Sequence, residues 1–116
     1  MFRILKMVQS RMNLEELQSK IKTTPALLVY FSGEFCSVCH ELKPKVFQAM
    51  KENYPKIEVL EISVDDYREI ASQYEVFALP SVIVFFDGGE FIRKSRSFGV
   101  DELLGQIKRP YGLFFD

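Results

Sequence analysis

The chain has 116 residues, with 15 Lys and Arg against 16 Asp and Glu, one His, two Cys and no Trp. At 47% hydrophobic and 27% charged, with a net charge of -1, it has the balance of a single globular domain over residues 1–116, not of a disordered segment. The same figures argue against a nucleic-acid or anionic-membrane footprint and a multi-bridge disulfide scaffold, and the longest apolar run, Ala26 to Phe31, is too short to span a bilayer.

The N-terminal stretch Met1 to Ser10 mixes Arg3 and Lys6 with isolated apolar residues. It lacks a continuous apolar core followed by a small-residue cleavage site, so it does not read as a signal peptide, and a short strand is expected near Phe2 to Val8. Asn13 stands as a helix N-cap with Glu16 three residues on, a capping-box spacing. Leu14, Leu17 and Ile21 keep helical periodicity until Thr23-Thr24-Pro25 stops it. Ala26 to Phe31 is apolar on both alternating faces, as in a strand covered on two sides. Ser32-Gly33 breaks that strand, and the two cysteines follow at once. From Cys36 to about Asn53, the positions Cys39, Leu42, Val46, Phe47 and Met50 fit one helical stripe, with Pro44 expected to kink it.

Ile57 to Val64 alternates apolar and polar residues, a strand pattern. Asp65-Asp66 is placed to cap a short helix through Tyr74. Val82 to Phe86 reads as another doubly covered strand, and Asp87-Gly88-Gly89-Glu90 is a hairpin signal leading into Phe91 to Phe98. Arg93-Lys94-Ser95-Arg96 reads as an edge strand protected by charge rather than a nucleic-acid patch. Asp101 to Lys108 forms a last amphipathic helix ended by Pro110. Tyr111 to Asp116 is then an apolar tail that either folds back on the core or meets a partner. This order predicts an α/β fold with one mixed sheet and helices on both faces.

Cys36-Ser37-Val38-Cys39 stands between a buried strand and a helix start. The first cysteine would lie in the first turn, where unpaired N–H groups and the helix dipole stabilise a thiolate. The second returns to the same side of the helix and, from its stripe position, is expected to be the more buried. A cysteine pair in this setting points to reversible dithiol–disulfide chemistry. Three rival readings compete. A zinc site would need two more ligands, and His40 is the only histidine. Cys36 to His40 also matches the haem-attachment pattern C-x-x-C-H, which goes with export. Two inert core thiols are the third possibility. His40 itself has two readings: an imidazolium that favours the Cys36 thiolate, or, more commonly, a solvated surface histidine.

The segment Phe31-Ser32-Gly33-Glu34-Phe35-Cys36-Ser37-Val38-Cys39-His40-Glu41-Leu42-Lys43-Pro44 resembles the active-site segment of the thioredoxin family. Pro44 falls where the family's helix proline lies. Tyr74 to Ser81 resembles the family's segment ending in a cis-proline, and Asp87-Gly88-Gly89 and Gly99 fall at matching positions. The likeness covers residues 2 to 109. It implies a thioredoxin fold, with a central mixed five-stranded sheet flanked by helices on both faces. It also implies a cis Leu79–Pro80 bond beside Cys36, with the Leu79 backbone offered to an extended substrate segment. Phe35, Val38, Phe77, Ala78 and Gly99 would surround that place. Taken alone, Pro80 reads as an ordinary trans proline at a strand start, and Phe35 and Phe77 as core.

The departures from the family pattern are specific. Phe35 replaces the tryptophan before the first cysteine, and Ser37-Val38 replaces Gly-Pro between the two. Tyr30 stands where thioredoxins carry a buried aspartate, and Glu61 where its lysine companion lies. Cys39 therefore needs another proton acceptor, with water, Glu61 and the Tyr30 hydroxyl all open.

The resemblance implies a thiol–disulfide oxidoreductase working in electron transport and redox homeostasis, expected as a monomer, and the missing signal-peptide pattern argues for the cytoplasm. Its redox group would be the Cys36–Cys39 disulfide, with no metal or organic cofactor. Its partners would be disulfide-containing proteins and a thioredoxin reductase or other dithiol donor, with no nucleic acid or membrane. Two alternatives stand beside it: a non-catalytic binding or adaptor module, which Tyr30 and Glu61 favour, and a redox sensor dedicated to one partner.

Overall fold

In the computed structural model, which describes residues 12–115, the capping box at Asn13 starts helix α1 (Leu14–Thr23). The Asn13 side chain accepts the Glu16 N–H at 2.8 Å, and the Glu16 carboxylate accepts the Asn13 N–H at 2.9 Å. The elements that follow are β1 (Ala26–Ser32), α2 (Ser37–Asn53), β2 (Glu58–Ser63), α3 (Arg68–Gln73), β3 (Ser81–Phe86), β4 (Gly89–Ser95) and α4 (Val100–Phe115).

The described residues form a four-stranded mixed sheet in the order β2-β1-β3-β4. β1 runs parallel to β2 and antiparallel to β3, and β3 and β4 make the hairpin. The fifth strand expected near Phe2 to Val8 lies outside the described residues. The two central strands, β1 and β3, are buried along their whole length. Their alternation separates two cores. Leu28, Tyr30, Val82 and Val84 face Cys39, Val46 and Met50 of α2 and Leu103 and Ile107 of α4. Leu27, Val29, Phe31 and Ile83 face Leu17 and Ile21 of α1 and Ile70 of α3. The architecture is a thioredoxin fold with helices on both sheet faces. β4 ends the sheet on one side with its charges in ion pairs, Arg93 with Glu90 at 2.8 Å and Lys94 with Glu102 at 2.5 Å.

Three local expectations need correction. The short helix after β2 begins at Arg68 behind Tyr67, and no side chain caps it there. Asp65 is engaged elsewhere: its carboxylate accepts the Glu34 N–H. β4 stops at Ser95, before Phe98, because Arg96 turns into the left-handed region at φ 62° and donates its N–H to the Pro80 carbonyl. The last helix continues through Pro110 to Phe115. A proline inside a helix costs about 3 kcal/mol, and the aromatic side chains beyond it offset that cost. Tyr111 and Phe115 pack against the core, Tyr111 meets Tyr54 in a tilted ring contact with centroids 4.7 Å apart, and its hydroxyl accepts the Lys56 N–H. The apolar tail thus folds back as helix, while Leu113 stays exposed.

Candidate active site

The buried strand β1 delivers the chain to a short loop, Gly33 to Cys36, before α2 begins. Gly33 brings the two segments close: a Cβ there would lie 2.9 Å from Cδ1 of Leu79, which would have to shift. The missing side chain lets the Leu79 segment sit directly against the loop that precedes the cysteines. The Leu79–Pro80 peptide bond is cis. The segment is held by Ser81, whose hydroxyl donates to the Ala78 carbonyl at 2.6 Å, and by the Arg96 N–H on the Pro80 carbonyl at 2.8 Å. The Leu79 N–H and C=O take no backbone partner among the described residues.

Cys36 is the N-cap of α2, one residue ahead of the first turn, in extended conformation. Its Sγ accepts the Cys39 N–H at 3.2 Å, and the two cysteines form a disulfide with Cα atoms 5.2 Å apart. Cys39 is fully buried and Cys36 only partly so. A donor at the α2 N-terminus, the Cys39 N–H, therefore faces the outer sulfur, the arrangement that stabilises a thiolate.

Beneath Cys39, Tyr30 donates its hydroxyl to the Cys39 carbonyl at 2.7 Å. Burial, with the Glu61 charge adding to it, pushes the Tyr30 phenol up to about 12. A phenol already donating and so hard to ionise is no proton acceptor. Glu61 lies opposite Tyr30 in the β1–β2 register. Its carboxylate accepts the Ser32 hydroxyl at 2.9 Å and pairs with the Lys43 ammonium at 2.7 Å. Lys43 is four residues beyond Cys39, one turn along α2 on the same side. An acid–lysine pair thus persists here, with the acid on β2 and the lysine on the helix. The sequence reading missed Lys43, whose one signal was that spacing from Cys39.

His40 is exposed, and its Nε2–H donates to the Glu34 carbonyl at 3.0 Å. Phe35 and Phe77, taken alone as core, are 93% and 87% exposed, and Val38 is 57% exposed. Ala78 and Leu79 are half-buried, Pro80 is buried, and Gly99, at the entrance to α4, has open space where a side chain would be. Among the described residues no group of three or more His, Cys, Asp or Glu is placed to hold a metal ion. No described helix is long and apolar enough to cross a membrane.

Comparison with known proteins agrees with this geometry. The thioredoxin family model matches residues 8–109. Thioredoxin-like protein YdfQ of Bacillus subtilis is 31% identical over 102 residues, spanning 88% of this chain and 90% of that protein. A thioredoxin of Echinococcus granulosus is 32% identical over 92 residues, or 78% of this chain and 85% of its own. Among solved structures, Fasciola hepatica thioredoxin matches with a TM-score of 0.68 at 31% identity, covering 83% of this chain and 89% of that one. Oxidised mitochondrial thioredoxin 3 of Saccharomyces cerevisiae matches at 0.74 with 26% identity and the same coverage.

Proposed function

The chain belongs to the thioredoxin family, and we propose that it reduces protein disulfides by Cys36 attack and Cys39 resolution. It is a thiol–disulfide oxidoreductase, and the observation that carries this is the Cys36–Cys39 disulfide at the β1–α2 junction. The Cys36 thiolate attacks one sulfur of a substrate disulfide; a Cys36–substrate bond forms and the other substrate sulfur leaves as a thiolate. Cys39, after losing its proton, attacks Cys36 Sγ. The Cys36–Cys39 bond forms, the second substrate sulfur leaves, and two electrons have passed to the substrate. A thioredoxin reductase or another dithiol donor then restores the pair.

The surroundings support the assignment of roles. Phe35, Val38 and Phe77 present apolar side chains to solvent beside the outer cysteine, the kind of surface that docks a partner chain. Leu79 offers a backbone N–H and C=O with no backbone partner among the described residues, the groups that pair with an extended substrate segment. Ala78, Pro80 and Gly99 shape that approach without blocking it. Of the protein groups considered as proton acceptor for Cys39, Glu61 is the one left, since Tyr30 is committed as a donor. The working form is a monomer, and a reductant fits the cytoplasm, where dithiols are kept reduced.

Insulin reduction driven by dithiothreitol tests this reading. Wild-type protein should accelerate it and Cys36→Ser should not. Turnover no faster than background, unaltered by Cys36→Ser, would identify a binding module instead. A reduction potential near about -270 mV fits a reductant, whereas one near about -120 mV would make the protein an oxidant.

A further inference from the structure

We propose that Asp65 and His40 act as a two-sided clamp on the Glu34 peptide and thereby position Cys36 for reaction. The inference rests on the dithiol chemistry assigned above and adds two positioning residues to it.

The loop from Gly33 to Cys36 has little to hold it through its own side chains. Glu34 is exposed, Phe35 is 93% exposed, and Gly33 has no side chain. Its order must come from backbone bonds. One is local, from the Cys36 N–H to the Gly33 carbonyl at 3.3 Å. The other two grip the two edges of one residue. The Glu34 N–H donates to the Asp65 carboxylate, which reaches across from the loop after β2. The Glu34 carbonyl accepts the His40 Nε2–H at 3.0 Å from the first turn of α2. Asp65 reaches over Gly33, its Oδ2 3.5 Å from where a Cβ would be, an ordinary van der Waals approach.

Each partner anchors the loop to a different element: Asp65 to the sheet through β2, and His40 to the helix that Cys36 caps. His40 also has its own N–H on the Cys36 carbonyl at 3.2 Å, so ring and backbone of one residue bracket the loop from Glu34 to Cys36. A carboxylate oxygen on a backbone N–H acts as a plain acceptor, and a carbonyl gripped by a ring N–H fixes that ring nitrogen as the donor. The clamp sets where Cys36 Sγ lies relative to the Cys39 N–H that it accepts.

The test separates holding from charge. In reduced protein, the rate of Cys36 alkylation by iodoacetamide at fixed pH reads the sulfur without any substrate. Asp65→Ala and His40→Ala should each slow it by about three- to tenfold, the loss of one hydrogen bond. The value of kcat/KM for insulin should fall by a similar factor. Asp65→Asn, which keeps the acceptor and removes the charge, and His40→Gln, which keeps a donor, should stay within about twofold of wild type. Thermal melts confirm that each variant is folded. Folded alanine variants that alkylate like wild type would overturn the clamp, as would Asp65→Asn behaving like Asp65→Ala. Wild-type protein that fails to reduce insulin would defeat the functional reading and leave the alkylation test standing.

Discussion

Cys36 and Cys39 share one turn of helix, yet the regions around them are built on opposite terms. Cys39 is sealed beneath the sheet surface among groups that satisfy one another: Tyr30 on its carbonyl, Glu61 held by Ser32 and Lys43. Cys36 stands at the rim, where Phe35, Val38 and Phe77 are open to solvent and the backbone of Leu79 has no backbone partner among the described residues. The inner region can control a proton because its buried Cys39 and Tyr30 meet a half-buried carboxylate, Glu61, at its edge. The outer region can receive a partner because its apolar side chains have no neighbour to pack on. Exposed aromatic side chains and buried polar ones both run against ordinary burial preference, and both occur here within a few residues of a reactive sulfur.

Changes on the inner side should act on resolution and changes on the outer side on docking. The largest effect is expected from Glu61→Gln, which removes the acceptor proposed for Cys39. The resolving step should slow by about 10²-fold in rapid-mixing single turnovers, the lower range for a lost general base, while the first attack by Cys36 is unaltered. Next comes the docking face. Phe35→Ala and Phe77→Ala should each raise KM for a protein substrate by about five- to tenfold, as anchor side chains do. Because both are exposed, the unfolding free energy from urea denaturation should move by no more than about 0.5 kcal/mol.

Tyr30→Phe is expected to cost about 1 kcal/mol at neutral pH through the lost bond to the Cys39 carbonyl, read by urea denaturation. The same variant has a pH signature. The folded phenol titrates at about 12 against 10.0 for a free one, so its contribution is complete below pH 10 and is lost as the pH rises toward 12. Wild-type protein should lose stability through that window, and Tyr30→Phe should lose less. Smallest of all should be Leu113→Ser, at an exposed site on the late turns of α4, with stability and turnover within about 0.5 kcal/mol of wild type.

Much of this arrangement was legible in the residues, for identifiable reasons. The doubly apolar runs of β1 and β3, the Asn13–Glu16 box and the cysteine spacing are local patterns, and local physics preserves them in the fold. The continuation of α4 past Pro110 was not, because it depends on Tyr111 meeting Tyr54, a contact between distant parts of the chain. Asp65 looked like a helix cap since nothing in sequence shows that the Glu34 N–H is within its reach. Lys43 looked like any solvated helix lysine until β2 brought Glu61 to it. Phe35 and Phe77 read as core because burial is the usual fate of phenylalanine; only the loop geometry turns them outward. The departures that favoured a non-catalytic module, Tyr30 and Glu61, prove to be parts of a satisfied network beneath Cys39.

The most direct test of the division between the two sulfurs is to mix reduced Cys39→Ser protein with a disulfide substrate and weigh the products. The account predicts a stable mixed disulfide on Cys36, absent when Cys36 is also replaced. No adduct, or an equal adduct without Cys36, would contradict it.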